Sequence, residues 1–122
     1  MAAWSEHEFA LEQKQDDGST LRQHLLTVEK ATGERHPWLE RVLDRPTALM
    51  YLFEAFLDLS ASRPPVFSGI APISEAQLYY WQKVRQFPLR LWELEAIRQV
   101  DMKFRMVHSE GYAGPVEDDD GN

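Results

Sequence analysis

At 122 residues the chain has room for one hydrophobic core and not comfortably for two. Apolar residues make up 43%, with four Trp, four Tyr and six Phe, which excludes a fully disordered chain; the absence of cysteine excludes a disulfide framework and any thiolate zinc site. The formal charge is −7, but four acids sit together at 117–120, and no basic stripe runs along any segment, so binding to a phosphate backbone is disfavoured. No run approaches the roughly 18 apolar residues of a membrane span. The start, MAAWSEHEF, lacks the basic and then apolar regions of a secretory signal, and a cytoplasmic protein is expected.

Residues 1–18 admit two readings. Phe9 and Leu11 alternate with polar neighbours as in a short strand, whereas SEHEFALEQKQ also suits a helix capped by Ser5 with Glu8 three residues on. Asp16-Asp17-Gly18 breaks either one. We read the segment as an irregular N-terminal arm ahead of a single helical domain over 19–109.

The first clear helix begins at Ser19 or Thr20, either of which can cap it. Leu21, Leu25, Leu26 and Val28 give it an apolar side, and Gly33 stands where a left-handed residue commonly ends a helix. The chain turns at His36-Pro37. Trp38, Leu39, Val42 and Leu43 then predict a short helix of two or three turns, with Pro37 in the first turn, where its missing amide costs nothing. Pro46 opens a third helix, from 46 or 47 to about 61. Its apolar stripe (Leu49, Met50, Leu52, Phe53, Phe56, Leu57, Leu59) is too broad for one partner and predicts a central place in the bundle. Arg63-Pro64-Pro65 stops it, since the residue before proline avoids the helical region. Residues 62–72 form a proline-rich connector that Val66, Phe67 and Ile70 are expected to tack onto the core.

The stretch 72–107 reads as two helices broken at 86–88. Ser74 caps the first with Gln77 as its capping-box partner. Leu78, Trp81 and Val84 or Arg85 follow at helical spacing, and Pro88 separates a last helix that reaches about 108. Leu78, Trp81, Trp92, Ile97, Val100 and Phe104 are the expected core residues of the pair. Glu93 and Glu95 early in the last helix, with Lys103, Arg105 and His108 late in it, complement the helix dipole, each contributing about 0.3–1 kcal/mol. Gly111, Gly114 and Pro115 end regular structure, and 110–122 reads as a disordered acidic tail. The predicted fold is therefore all-α, a small bundle of four to five helices.

No catalytic pattern emerges. His7, His24, His36 and His108 form no HxxxH or HExxH pair, no GxSxG elbow or phosphate-binding glycine loop is present, and the acid run lacks the alternating ligands of a calcium loop. We expect no catalytic residue, no metal and no cofactor. Two features stand out instead. Tyr79-Tyr80-Trp81 places aromatics on more than one helix face, so a tyrosine faces solvent or a partner. Asp101 falls on or beside the apolar stripe. It is either a rim carboxylate paired with Arg98 or Arg105, or a semi-buried one bonding the start of a neighbouring helix or the 86–90 turn; spacing alone leaves the two even.

The order of these motifs resembles the small tail-assembly proteins of long-tailed phages and prophages. Pro72, Ile73, Ser74, Gln77, Leu78 and Trp81 match one motif of that family, and Leu89, Trp92, Glu93, Ile97, Val100 and Asp101 match the next. Upstream, DDGSTLRQHLLTVEKATG resembles the family's opening, and Phe56 to Ser60 followed by Arg63 resembles its link, so the resemblance spans most of 16–105. It departs at Val84-Arg85-Gln86-Phe87-Pro88, where relatives often carry a glycine, and in having its own methionine start, unlike the downstream half of a frameshifted fusion. The resemblance implies a helical, non-enzymatic tail-assembly chaperone of the host bacterial cytoplasm. Its partners would be the tape-measure protein and also the tail tube subunit. It also implies Trp81, Trp92, Glu93, Ile97 and Asp101 as a structural signature. The client-binding patch we expect comprises Tyr79, Tyr80 and Phe87. A structural tail or head–tail connector subunit, and a small regulator binding a host protein, are the competing classes.

Overall fold

The computed structural model describes residues 1–41 and 43–114. Among them are six α-helices and no strand: α1 (Ala2–Leu11), α2 (Leu21–Thr32), α3 (Pro37–Glu40), α4 (Met50–Ala61), α5 (Glu75–Arg85) and α6 (Leu91–Val107), with a 3-10 turn, Thr47–Leu49, leading into α4. The fold is all-α, as the patterning predicts. The helix count exceeds the expected four to five because the N-terminal segment read as an irregular arm forms α1. Val42 and the acidic run 117–120 lie outside the described residues.

Local chemistry sets most helix boundaries. The Thr20 hydroxyl accepts from the Gln23 amide while the Gln23 side chain accepts from the Thr20 amide, and Ser74 and Gln77 repeat this capping box at the start of α5. Between α1 and α2, Asp17 accepts from both the amide and the hydroxyl of Ser19, and the tight turn is closed at Gly18, whose φ is 87°. His36 caps α3 through its ring Nδ1, which accepts from the Trp38 amide at 3.0 Å. This helix is a single turn, shorter than the predicted two or three.

The arm is overturned by packing that has no hydrophobic period to read. Helix α1 lies against α6 more extensively than any other pair of helices meets. Its buried residues include Ser5, Glu6 and His7 beside Ala10 and Leu11. Distant residues satisfy two of the polar ones. Glu6 takes the Lys103 ammonium at 3.0 Å and the Tyr112 hydroxyl at 2.9 Å, and the His7 ring bonds the Trp38 carbonyl at 2.9 Å. Phe9 seats the helix, its ring centroid 5.7 Å from Phe53, 5.7 Å from Phe56 and 5.3 Å from Phe104. Residues 110–114, expected within a disordered tail, fold back over α1. There Tyr112 donates to Glu6, and Gly114 approaches the Trp38 ring so closely that a Cβ could not fit.

Helix α4 is central, as its broad stripe predicts. Leu52, Ala55, Phe56 and Leu59 are buried with Leu78 of α5 and with Ile97 and Val100 of α6. The connector between α4 and α5 does not behave as expected. Val66 and Phe67 point outward, and Ile73 is the residue that enters the core. The reason is polar. Arg63 donates to the Ala71 carbonyl at 2.6 Å, to the Ser60 hydroxyl at 3.0 Å and to Asp101 Oδ1 at 2.7 Å. Asp101 Oδ2 accepts from the Ile73 amide at 3.1 Å and from Arg105 Nε at 3.2 Å. Both ends of the connector are thus pinned to α6, and its middle is left outside. Asp101 combines both sequence readings, bonding the start of α5 and pairing with Arg105, while Arg98 pairs with Glu75 instead.

Trp92 does not join the core. The inward line of α6 runs through Glu93, Ile97, Val100, Asp101 and Val107, so Trp92 lies one residue, about 100°, off that face and is 53% exposed. Glu93 takes the first inward place. It accepts from the Arg90 amide at 2.7 Å, serving the start of α6, and from the Tyr51 hydroxyl at 2.5 Å, tying α6 to α4. Those bonds, the Tyr51 one foremost, hold the Glu93 carboxyl below its ordinary range.

Replacing Asp101 with Ala leaves the Arg63 guanidinium buried and unpaired, and urea titration is expected to register a loss of about 3–5 kcal/mol. The double replacement Asp101→Leu with Arg63→Met recovers most of it; a double variant as unstable as the single one refutes the account. Because the native Glu93 carboxyl titrates below the free value of about 4.3, its stabilisation is present above that pH. It is lost as pH falls through the lower native value. Glu93→Gln therefore shrinks the drop in Tm between about pH 5 and pH 3, measured by circular dichroism melts.

Candidate functional site

Helix α5 buries one residue, Leu78, and carries its other large side chains at or near the surface. Tyr79, Tyr80 and Val84 are exposed, Val84 at 73%, although its spacing made it a candidate for the inner face. The helix ends at Gln86, which takes the left-handed conformation at φ 53° without being glycine. The turn is stapled to α5 by the Phe87 amide donating to the Gln82 carbonyl at 3.1 Å and by the Leu89 amide donating to the Gln82 side chain at 2.8 Å. These bonds fix the turn and hold Phe87 at the surface. Beyond the turn, Leu91 is 75% exposed beside Trp92.

The three residues expected to form one patch line three neighbouring grooves. Tyr79 flanks a groove of about 380 Å³ with Gln82, Lys83, Gln86 and Pro88. Tyr80 flanks one of about 340 Å³ with Leu59, Ala76, Trp81 and Val84. Phe87 flanks one of about 320 Å³ with Tyr51, Ala55, Asp58 and Trp81. The Tyr79 and Tyr80 rings meet edge to face, their centroids 5.3 Å apart, and Phe87 packs on Trp81 at 6.0 Å. The arrangement is a band of aromatic surface around α5.

Trp81 is the fixed point of the band. Its indole donates to Asp58 Oδ2 at 2.7 Å, and Arg85 donates to the same oxygen through Nε at 2.9 Å and Nη2 at 2.7 Å. These bonds, the indole one foremost, hold the Asp58 carboxyl below its usual range. Lys83 lies over the Tyr79 ring, 5.4 Å from its centroid.

Three other residues of the sequence signature stand apart from this surface. Ile97 and Asp101 are buried, and Glu93 is turned inward onto Tyr51. Val84, Leu91 and Trp92 are exposed, although apolar spacing assigned Trp92 to the core and made Val84 or Arg85 a candidate for the inner face. The signal that places Trp92 outside is the alternative phase through Glu93. Elsewhere, the cleft between α1, α2 and α3 carries Arg22 and Arg35, which pair with Glu8, Glu12 and Glu29. Among the described residues no group of three His, Cys, Asp or Glu is placed to hold a metal ion, and no helix is long and apolar enough to cross a membrane.

What the geometry offers is therefore apolar, aromatic surface with rim charges, suited to holding another polypeptide. Against curated proteins and against solved structures the chain has no match. Residues 28–106 match the sequence model of the phage tail assembly chaperone family, a span that begins within α2 and takes in α5, its three grooves and the Asp101 network. With well over half of its length inside that match, the chain belongs to the phage tail assembly chaperone family.

Proposed function

We propose that the protein is a non-enzymatic chaperone of the tape-measure protein, acting in the cytoplasm of the bacterial host and bringing tail tube subunits to that client. The observation that carries this reading is the exposed aromatic band on α5 and the following turn, lying within the span that matches the family. A long helical client exposes apolar stripes before assembly, and a chaperone needs accessible apolar surface to cover them. The formal charge of −7 keeps the loaded complex soluble. Tyrosines suit such a surface, since each offers a large ring at little entropic cost and a hydroxyl that tolerates water between encounters.

The experiment is co-purification with a tape-measure fragment encoded by the same phage. Replacing Tyr79, Tyr80 and Phe87 together with Ala is expected to abolish capture and leave the far-UV circular dichroism unchanged. Capture at wild-type levels rejects the patch. An assembly chaperone leaves the finished particle, so mass spectrometry of purified virions is expected to lack its peptides; stoichiometric recovery in virions would replace this reading with that of a structural tail or connector subunit.

A further inference from the structure

Two of the three grooves lie end to end along one furrow. The side chains of Tyr51, Glu54, Ala55 and Asp58 border the first, and Leu59 and Ser62 continue the same line of α4 into the second. The opposite wall is α5 running the other way, and Trp81 and Arg85 line both grooves. At 1.5 Å per residue, the 51–62 wall measures roughly 16 Å, the length of about three helical turns. Two side chains of α5 cross the furrow to Asp58 Oδ2, the part-buried Trp81 indole and the exposed Arg85, and Arg85 is the outer divider.

That divider is weakly held. The Arg85 side chain is 53% exposed and that of Asp58 41%, and an ion pair so open to water is a poor fastener. Asp58 does not depend on Arg85 for company, because the Trp81 indole donates to the same oxygen. Swinging Arg85 into solvent joins the two apolar halves above Trp81. It also leaves Glu54 and Asp58, one turn apart, as an acidic rim on the α4 side.

We propose that the furrow between α4 and α5 is a single helix-binding trough that the Arg85–Asp58 pair bars in the free protein. Its occupant is an amphipathic client helix of about three turns. The apolar stripe of that helix lies over Trp81, and a Lys or Arg on its flank takes the place of Arg85 at Asp58. This deepens the tape-measure reading and rests on it for the identity of the client, though not for the opening of the trough. The occupant is fixed by the walls and the rim. Two antiparallel helices offer a groove for a third, and the carboxylates on one rim call for a basic flank.

The test uses the full chain with Arg85→Ala and, separately, Asp58→Asn, each read in two ways. Binding of the dye 8-anilinonaphthalene-1-sulfonate reports the joined apolar surface without any client, and is expected to rise in Arg85→Ala. Affinity for the tape-measure fragment is expected to rise by up to about five-fold in Arg85→Ala, the most that a pair of this exposure withholds. It rises less in Asp58→Asn, which frees Arg85 but removes the acceptor for the basic flank. Dye binding unchanged from wild type in Arg85→Ala overturns the barred trough. Weaker fragment binding in Arg85→Ala also overturns it, by making Arg85 a client contact. Equal gains in the two variants overturn the basic flank. Raised dye binding with no capture of the fragment by any form leaves the trough standing and removes the tape-measure reading.

Discussion

The Asp101 carboxylate is the point on which the arrangement of α4, α5 and α6 depends. Through Arg63 it holds the end of α4, through the Ile73 amide it holds the approach to α5, and through Arg105 it is tied to its own helix. Apolar packing is non-directional and would accept α5 at many angles. Bonds from three elements to one nearly buried carboxylate accept very few. The network also has an unforgiving side, because the Asp101 and Arg63 side chains are buried at the expense of their hydration and are stable only while their partners stay in place. Arg63 answers part of that cost by stacking over Phe104, 5.2 Å from the ring centroid, so the cation faces aromatic surface where it does not face oxygen.

Pinning at the connector explains why α5 can remain shallow. A helix held only by its apolar face must bury a broad stripe to stay down. Helix α5 buries Leu78 and half-buries Trp81, and it is held by directional bonds, from the Asp101 network before it and from the Trp81 indole and Arg85 to Asp58 of α4. Its tyrosines and valine are thereby released from core duty. The exposed band is a consequence of fixing this helix by a few directional bonds instead of a broad apolar stripe.

Much of this architecture is legible in the sequence, because caps and breakers are local. Thr20 with Gln23, Ser74 with Gln77, Gly33 and the Arg63-Pro64-Pro65 stop all announce themselves within a few residues, and the broad stripe of α4 announces its central position. What escapes is non-local. Helix α1 turns Ser5, Glu6 and His7 inward, and the partners that make this possible, Lys103, Tyr112 and Trp38, are far away in the chain. The phase of α6 is hidden for the same reason. Trp92 is the more apolar choice for the first inward position, and Glu93 takes it because Tyr51 supplies a hydroxyl there. Apolar periodicity assigns faces correctly only where no distant polar partner outbids it. The exposed apolar residues are half legible: the Tyr79-Tyr80 pair declares its own exposure, whereas the outward turn of Leu91 and Trp92 depends on that phase.

Helix α4 joins the two halves of the molecule. Phe53 and Phe56 meet α1 through Phe9, while Ala55 and Asp58 border the furrow with α5. The span that matches the family contains the furrow, the Asp101 network and α4 entire, and leaves out α1. The division falls along a physical line. Inside it lie the directional bonds that set α5 on α4 and the apolar surface this exposes. Outside it lies a helix that closes the core from its other side, with an interior unusually polar for such a role, down to the Ser5 hydroxyl, which is buried without a hydrogen-bond partner among the described residues. The exposed aromatic band and the bonds that hold α5 thus lie inside the span that matches the family, and α1 lies outside it.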